Sequence, residues 1–491
     1  MSFISSFEKL RLKFPGAEKL LFRDLSISFK KGEKVLMLGP SGCGKSTLLQ
    51  ALSGLIPKSV EIPINYERAI YPHSWGFVFQ DPDTQFCMPY ADEEIAFVLE
   101  NLQLPRELMP ERIAELLSVV GLELKDPHSS IQTFSGGMKQ RLAIASVLAL
   151  DPEVLFFDEP TAMLDQEGTK MIWETVKKIS ADKTVIIVEH KIEHVADFID
   201  RVIVFDDAGT IIADGTPELV FASNKNDFKK NGIWFPGVWE QYKTARPPSK
   251  KLDLENKKHL VLENFKGFRK KDIKIHIERA VAESGDWIAV TGKNGAGKST
   301  MLLSLIQLLT TTGTYEIDGR MIHKNKDVAK DAAFVFQNPE FQFVANTVYD
   351  EIAFTFMQRK EDITSIRQKV SELLLLFKLA DQQDLHPYQL SMGQKRRLSV
   401  ATAFAQNPFI LLLDEPTFGQ DSQNTFALLE LLEKYQAEGC IIIMATHDRH
   451  IIEHFATKVW NVVDGKVTVE EKNFKEDETA FSAEAVHAYT I

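Results

Sequence analysis

The chain repeats itself once, and this duplication constrains its fold more than any other feature. Four segments of the first half return in the second half in the same order. Gly39 and Gly292 lie 253 residues apart, and His190 and His447 lie 257 apart. A period this long indicates two whole domains, because solenoids repeat every 20–50 residues or so. The matched segments are 39–52 with 292–305, 77–86 with 334–343, 134–165 with 390–421, and 186–191 with 442–449.

The composition is that of a globular protein, and the charge disfavours some classes of partner. Of 491 residues, 44% are hydrophobic and 26% are charged, which argues against a disordered or fibrous chain. The formal net charge of −12 disfavours nucleic acid as the main partner. Three cysteines far apart in sequence make neither a disulfide framework nor a zinc module, so we expect a reducing compartment.

The sequence predicts a cytosolic chain. No stretch reaches the roughly 18 apolar residues that a bilayer span requires. The first residues carry charges where a signal peptide needs a continuous apolar core. If a membrane matters to this protein, we expect other chains to supply it.

The stretch between the two copies has the composition of an exposed linker. Residues 222–231 are polar, and residues 243–258 combine a Pro-Pro pair with many lysines. The last residues are acidic and irregular. We therefore predict four parts: a first domain over 1–225, a linker over 226–258, a second domain over 259–470, and a C-terminal tail over 471–491.

Within each copy, short apolar runs alternate with helical patterns, which predicts the α/β class. Unbroken apolar runs of four or five residues are typical of a parallel sheet that is covered on both faces. Residues 47–55 show helical spacing directly after a glycine-rich loop. The predicted strands are 35–38, 154–157 and 184–188 in the first copy and 410–413 and 440–444 in the second.

Each copy carries a phosphate-loop pattern, G-x-x-x-x-G-K-S, between a predicted strand and a predicted helix. Glycines let backbone N–H groups converge on phosphate oxygens, and the helix N-terminus adds partial positive charge. Lys45 and Lys298 would bridge the β- and γ-phosphates, and Ser46 and Ser299 would hold Mg²⁺. A chance glycine-rich turn is disfavoured because the context recurs. The predicted nucleotide-binding residues are Gly39, Pro40, Ser41, Gly42, Cys43, Gly44, Lys45, Ser46 and Thr47, and Gly292, Lys293, Asn294, Gly295, Ala296, Gly297, Lys298, Ser299 and Thr300.

A pair of carboxylates follows a buried strand in each copy. Carboxylates at the carboxyl end of a central strand lie in the crevice where such sheets bind ligands. Asp158 and Asp414 are therefore candidate Mg²⁺ ligands. Glu159 and Glu415 are candidate general bases for an attacking water. Turn carboxylates are common singly, but recurrence at the same distance from a phosphate loop favours catalysis.

A histidine and a glutamine complete each predicted site. His190 and His447 stand just after a buried strand, where a single histidine is usually a structural cap. Their matched positions favour contact with the γ-phosphate. Gln80 and Gln337 follow the sequence FVF in both copies, and a neutral amide can bind both Mg²⁺ and water.

Together these residues resemble the ATP-binding-cassette (ABC) ATPases over nearly the whole chain, including the family's signature sequence. The resemblance implies two tandem P-loop NTPase domains, each with a mainly parallel core sheet, an antiparallel β subdomain and a helical signature subdomain. It also implies that the two cassettes pair within one chain and that each ATP lies between one phosphate loop and the other cassette's signature. Lys45 would then face Ser391 and Gly393, and Lys298 would face Ser135 and Gly137. The implied signature residues are Ser135, Gly136 and Gly137, and Ser391, Met392, Gly393 and Gln394.

Both signatures depart from the family's leucine-serine-glycine-glycine-glutamine. Met392 replaces a glycine, which keeps the N–H but adds a long side chain, and Met138 replaces the final glutamine. Both catalytic glutamates and both histidines are present. We therefore predict two hydrolysing sites of unequal rate.

A second repeated motif points to transport. Residues 81–86 and 338–343 carry an Asn/Asp-Pro-Asp/Glu-x-Gln run, and an acidic-hydrophobic helix start follows each. This resembles the ATPases of energy-coupling-factor importers, in which the region helps form a groove for helices of a membrane protein. A surface turn before an amphipathic helix is the competing interpretation of either copy alone. The resemblance implies a peripheral subunit on the cytoplasmic face of the membrane, with a coupling transmembrane protein and a substrate-binding component as partners.

The length and tandem arrangement resemble those of importer ATPases for thiamine or its hydroxymethylpyrimidine precursor. Two other families remain open. Soluble tandem-cassette translation factors are disfavoured by the modest linker and the acidic charge. Tandem sugar-importer ATPases often have one degenerate site, whereas both copies here are intact.

Overall fold

The computed structural model describes residues 3–17, 19–40, 42–162, 164, 166–190, 192–245 and 257–471. Its internal contacts divide the chain into two compact units. The first unit comprises Met1–Pro247 together with Phe418–Leu428. The second comprises Pro248–Thr417 and Leu429–Ile491.

The first half of the chain, up to residue 245, contains ten strands and nine α-helices within the described residues. The strands are β1 (Phe3–Leu12), β2 (Phe22–Lys30), β3 (Lys34–Leu38), β4 (Ile64–Asn65), β5 (Arg68–Ile70), β6 (Trp75–Val78), β7 (Val154–Asp158), β8 (Thr184–Val188), β9 (Arg201–Phe205) and β10 (Ile211–Gly215). The helices are α1 (Lys45–Ser53), α2 (Leu55–Lys58), α3 (Ala91–Asn101), α4 (Met109–Val119), α5 (Gly136–Leu148), α6 (Gln166–Ile179), α7 (Pro217–Ser223), α8 (Lys225–Lys230) and α9 (Val238–Thr244).

The first unit has two sheets. The core sheet has the order β10-β9-β3-β8-β7-β6, in which every pair is parallel except β9 with β10. The second sheet is antiparallel, with β1 paired to β2, β4 and β5. Every residue of β7 and β8 is buried, as expected for strands covered by helices on both faces.

The second half of the chain, from residue 257, repeats these elements. Its strands are β11 (His259–Arg269), β12 (Asp272–Glu283), β13 (Trp287–Thr291), β14 (Thr310–Ile317), β15 (Arg320–Met321), β16 (Ala332–Val335), β17 (Ile410–Asp414), β18 (Ile441–Ala445), β19 (Lys458–Val463) and β20 (Lys466–Glu471). Its helices are α10 (Lys298–Leu305), α11 (Asn325–Val328), α12 (Val348–Gln358), α13 (Ile363–Leu376), α14 (Met392–Ala405), α15 (Ser422–Ala437) and α16 (Arg449–Phe455).

In the described part of the second unit, the ten strands form one continuous sheet, unlike those of the first. The order is β15-β14-β11-β12-β20-β19-β13-β18-β17-β16. The antiparallel strands join the core through a short parallel pairing of β12 with β20, in which His276 faces Lys466 and Ile277 faces Val467. The predicted α/β class with a mainly parallel core is confirmed in both units.

Three helices lie beside the core sheet in each copy and carry the signature sequence. Helix α5 packs against α3 and α4, and α14 packs against α12 and α13. The signature serine of each copy caps the last of these helices, so that the signature begins a long, largely buried helix. The helical signature subdomain predicted from the sequence is therefore present in both copies.

Part of the stretch predicted as an exposed linker is instead helical and buried. Phe228, Ile233 and Phe235 are buried in the first unit. The ring of Tyr242 stacks on that of Phe426, with centroids 4.0 Å apart. The average composition of this stretch is polar because lysines surround these apolar residues. Residues 246–256 of the predicted linker and 472–491 of the predicted tail lie outside the described residues.

Among the residues that the structure describes, no helix combines the length and apolar character needed to cross a membrane.

Candidate active sites

The phosphate loops require glycine at the positions where the backbone turns into a helix. Gly44 precedes α1 with φ of 101°, and Gly297 precedes α10 with φ of 114°. Only glycine adopts such angles without strain. A β-carbon on Gly44 would also lie 2.7 Å from the ring of Phe22. Backbone conformation and close packing therefore both explain the glycine before the lysine.

The loop lysines are buried and folded into their own loops. Lys45 Nζ donates hydrogen bonds to the carbonyl oxygens of Gly39 (2.8 Å) and Pro40 (2.9 Å). Lys298 Nζ donates to Gly292 O (2.8 Å) and Lys293 O (3.3 Å). Each loop thus places an ammonium group beside a helix N-terminus, an arrangement that binds polyphosphate. Ser41, predicted in the first loop, lies outside the described residues.

The predicted magnesium ligands lie next to each other in both copies. Ser46 Oγ donates a hydrogen bond to Asp158 Oδ1 at 2.8 Å, across 112 residues of sequence. Ser299 makes the same kind of bond to Asp414. Hydroxyl and carboxylate oxygens are ligands that Mg²⁺ prefers, so these residues fit the ion.

Burial makes the ionised form of these aspartates costly. The pKa of Asp158 is raised to about 6, chiefly by burial. The hydrogen bond from Ser46 acts to lower this pKa, and the charge of Glu159 acts to raise it. Burial also raises the pKa of Asp414. A bound cation such as Mg²⁺ would stabilise the charged carboxylate and so lower its pKa.

Asp158→Asn should stabilise the magnesium-free and nucleotide-free protein at neutral pH. Because the folded-state pKa of Asp158 is raised, the contribution of this carboxyl to stability is fully present below about pH 4 and is lost as the pH rises through about 6. A shift from 3.8 to about 6 corresponds to about 3 kcal/mol in the free energy of unfolding. Chemical denaturation at pH 5 and pH 8 should show an advantage of the variant that grows with pH. Asp207→Asn, at an exposed turn, is the control. An equal advantage of Asp158→Asn at both pH values would contradict the raised pKa of Asp158.

Glu159 lies at the centre of a hydrogen-bonded group. His190 Nε2 is 3.1 Å from Glu159 Oε1, and Gln80 Nε2 donates to Glu159 Oε2 at 2.9 Å. Burial acts to raise the pKa of Glu159, but the charge and hydrogen bond of His190 outweigh it and hold the pKa below its ordinary value. Glu159 is therefore ionised at neutral pH and able to accept a proton from water.

The second copy repeats the pair with a different geometry. His447 Nε2 lies 3.5 Å from Glu415 Oε1 and 3.1 Å from Asn294 Oδ1, so the histidine also contacts the phosphate loop. Both glutamates have left-handed backbone angles, with φ of 46° at Glu159 and 49° at Glu415. Such strain in non-glycine residues concentrates at functional sites, and here it recurs at the same motif position.

The signature residues lie at helix starts. Ser135 Oγ accepts a hydrogen bond from Met138 N–H, and Ser391 Oγ accepts one from Gln394 N–H. The Gln394 side chain in turn accepts from Ser391 N–H at 2.9 Å. Met392 is 61% exposed. Each signature thus presents a capped helix N-terminus, while its place in an ATP site stays a prediction.

Sequence reasoning missed two residues that tie the signature helices to the glutamine segments. Arg396, on α14, is buried and donates hydrogen bonds to the carbonyl oxygens of Phe336 and Gln337. Burial lowers its pKa to about 10, so the guanidinium stays charged. Gln140 occupies the matched position in the first copy and donates to Phe79 O at 3.4 Å. These matched positions hold a glutamine and an arginine, so no repeated residue type in the sequence marked them.

The repeated motif after each glutamine also makes internal contacts. Lys139 Nζ pairs with Asp83 at 2.7 Å, and Lys395 Nζ pairs with Glu340 at 2.6 Å. Gln342 Nε2 donates to Ser399 O at 2.8 Å. The motif therefore links the glutamine segment to the signature helix.

The comparison with protein families matches this arrangement twice. The family model described as ABC transporter matches residues 22–162 and 279–418, which include both phosphate loops and both acidic strand ends. The chain belongs to the ABC transporter family. This ABC protein therefore binds ATP, and its domains are those of an ATPase that acts in transport.

Its relatives share the tandem arrangement over most of their length. A Bacillus subtilis (strain 168) protein, provisionally named an HMP/thiamine import ATP-binding protein, is 36% identical, with 92% of this chain and 88% of the relative covered. Proteins provisionally named ABC transporter ATP-binding proteins come from Methanosarcina acetivorans (32% identical, 94% and 84% covered) and Clostridium perfringens (32% identical, 94% and 89% covered).

Proposed function

We propose that this ABC protein is the energy-coupling subunit of an importer of the energy-coupling-factor type. It would use Mg²⁺ and ATP to drive a vitamin-like solute, such as thiamine or hydroxymethylpyrimidine, through separate membrane subunits. The observation that carries the proposal is the repeated motif of residues 81–86 and 338–343, which is tied to the signature helix in both copies. The Bacillus subtilis relative's name supports the solute.

Exposed apolar side chains lie beside this motif in the second unit. Phe341, within the motif, is 75% exposed, and Val344, just after it, is 68% exposed. On the helix that follows, Phe354 and Met357 are also exposed. Large apolar groups in water favour a partner that buries them. A helix of a membrane subunit that docks here would act on the segment that Lys395 and Arg396 attach to the signature helix.

We also propose the site assignments predicted from the sequence, in two cassettes that meet within the predicted linker, 226–258. Each phosphate loop, acidic strand end, glutamine and histidine would form one ATP site, which the signature of the other cassette completes. Hydrolysis would reset the pair after ATP binding closes it. This arrangement would place the chain on the cytoplasmic face of the membrane as a peripheral subunit.

The test of partners is affinity purification of the tagged full-length chain from gently solubilised source cells. Mass spectrometry should identify two polytopic membrane proteins, one of them a substrate-binding component. Thiamine and hydroxymethylpyrimidine would then be assayed for binding to that component. Ribosomal proteins without membrane partners would refute the transport function and leave an ATPase that acts on translation.

A double variant, Phe341→Asp with Val344→Asp, should remove the membrane subunits from this purification. Charged side chains would have to be desolvated in the interface, which costs several kcal/mol. The purified variant should still hydrolyse ATP, because neither residue contacts the phosphate loop or its carboxylates. Leu219→Asp is the control, since Leu219 is exposed on α7 in the first unit. Equal recovery of membrane subunits with both variants would contradict docking at this surface.

A further inference from the structure

A buried carboxylate joins the two loops that carry Glu159 and His190. Glu189 follows the last residue of β8, and it is only 2% exposed. The buried Thr161 hydroxyl donates a hydrogen bond to Glu189 Oε1. The backbone N–H of His190 donates to Glu189 Oε2 at 2.9 Å. Thr161 lies two residues after Glu159, so one side chain spans the loop of the base and the loop of the histidine.

The second copy has a threonine at the matching position. Thr446 precedes His447, and its hydroxyl accepts a hydrogen bond from Asp448 N–H at 3.1 Å, within its own loop. A threonine has one side-chain oxygen and is shorter than a glutamate. The histidine–glutamate distance is also longer in this copy, 3.5 Å against 3.1 Å. The shorter catalytic contact therefore occurs in the copy that has the glutamate.

A buried carboxylate in this position destabilises the protein unless its hydrogen bonds offset the loss of hydration. Burial raises the pKa of Glu189, whereas the hydrogen bond from Thr161 lowers it. A buried polar group that loses its hydrogen-bond partners destabilises the protein. Both carboxylate oxygens have partners here, and those partners belong to different loops. The side chain thus adds a second link between these loops, beyond the backbone hydrogen bond that Glu159 N–H donates to Val188 O at 2.8 Å.

We propose that Glu189 is a positioning residue of the first ATP site, where it holds the His190 loop against the Glu159 loop. The contact between the imidazole and the base is then maintained while the site hydrolyses ATP. Thr161 is its partner in this role. The inference rests on the roles proposed above for Glu159 and His190, and it does not depend on the solute or the membrane subunits.

The experiment uses the full chain with the second site silenced by Glu415→Gln. In this background Glu189→Thr, which copies the second site, should lower the single-turnover rate at saturating ATP about tenfold, because displaced catalytic groups lose rate steeply. The ATP concentration for half-maximal rate should stay within about twofold, since the phosphate loop is untouched. Glu189→Gln should keep most of the rate. Its amide oxygen can accept from His190 N–H while its NH₂ group donates to Thr161.

Two further variants separate positioning from general destabilisation. Thr161→Val combined with Glu189→Thr should lower the single-turnover rate no more than Glu189→Thr alone, because both substitutions remove the same hydrogen bond. Thr446→Val, assayed at the second site with Glu159→Gln present, should change the rate less than about twofold. This matched variant removes the hydroxyl that bonds within one loop only.

Several results would overturn the inference. One is a single-turnover rate of Glu189→Thr within about twofold of the rate of the protein that carries Glu415→Gln alone. Another is a Glu189→Gln rate as low as that of Glu189→Thr. A higher ATP concentration for half-maximal rate with an unchanged maximal rate would indicate a role in ATP binding instead. A Glu415→Gln protein with no hydrolysis at all would overturn first-site catalysis together with this inference, so the two failures are distinguishable.

Discussion

Glu159→Gln is expected to lower ATP hydrolysis at the first site by about 10²–10⁴-fold while the second site continues to turn over. The carboxylate accepts a hydrogen bond from Gln80 and contacts His190, and it is ionised at neutral pH. An amide of the same shape keeps the packing but cannot take a proton from water. Single-turnover hydrolysis with enzyme in excess over ATP measures the loss. Glu415→Gln should silence the second site in the same way.

The residual rates of the two single variants should be unequal. His447 divides its contacts between Glu415 and Asn294, and Met392 changes a signature position. The double variant, Glu159→Gln with Glu415→Gln, should hydrolyse ATP no faster than the background rate. Glu167→Gln, an exposed glutamate at the start of α6, is the control and should match the wild type. Complete loss of activity in just one single variant would refute the assignment of two hydrolysing sites.

Gly292→Ala should disable the second phosphate loop, because its β-carbon would lie 2.3 Å from the carbonyl oxygen of Val462. That oxygen belongs to β19, which pairs with β13 directly before the loop, so neither side can move freely. Gly292 also has φ of 139°. We expect a loss of about 2–4 kcal/mol in the free energy of unfolding of this unit and at least tenfold weaker ATP binding at this site.

The control separates the steric clash from the backbone angle. Gly319 has φ of 76° in the turn between β14 and β15, and a β-carbon there would meet nothing within 4 Å. Gly319→Ala should therefore cost only about 1 kcal/mol and leave ATP binding unchanged. Denaturation and titration with a fluorescent ATP analogue would measure both quantities. Similar losses in both variants would show that the close approach of Val462 is unimportant.

The core strands could be predicted from the sequence to within one residue. The structure has β3 at Lys34–Leu38 where 35–38 was predicted, and β18 at Ile441–Ala445 where 440–444 was predicted. Buried parallel strands are continuous apolar runs, and the phosphate loops and acidic residues mark where they end. Ser46 and Asp158, each predicted to hold Mg²⁺, are hydrogen-bonded in the structure because both motifs lie at the carboxyl edge of one sheet.

Other parts of the site depend on contacts that no local pattern contains. Arg396 reaches carbonyl groups about 60 residues away, and Glu189 reaches Thr161 across 28 residues. A single buried side chain leaves no periodicity, so only its partners reveal its role. The buried helices within 226–245 were missed for a related reason. Their few apolar residues determine the packing, whereas the surrounding lysines determine the average composition.

The continuous sheet of the second unit gives the two copies different mechanical properties. In that unit, a tilt of the antiparallel strands against the parallel core would break the pairing of β12 with β20 at His276 and Ile277. The first unit keeps its antiparallel strands in a separate sheet, so the same tilt would break no strand pairing. We therefore expect the second cassette to resist this tilt more than the first.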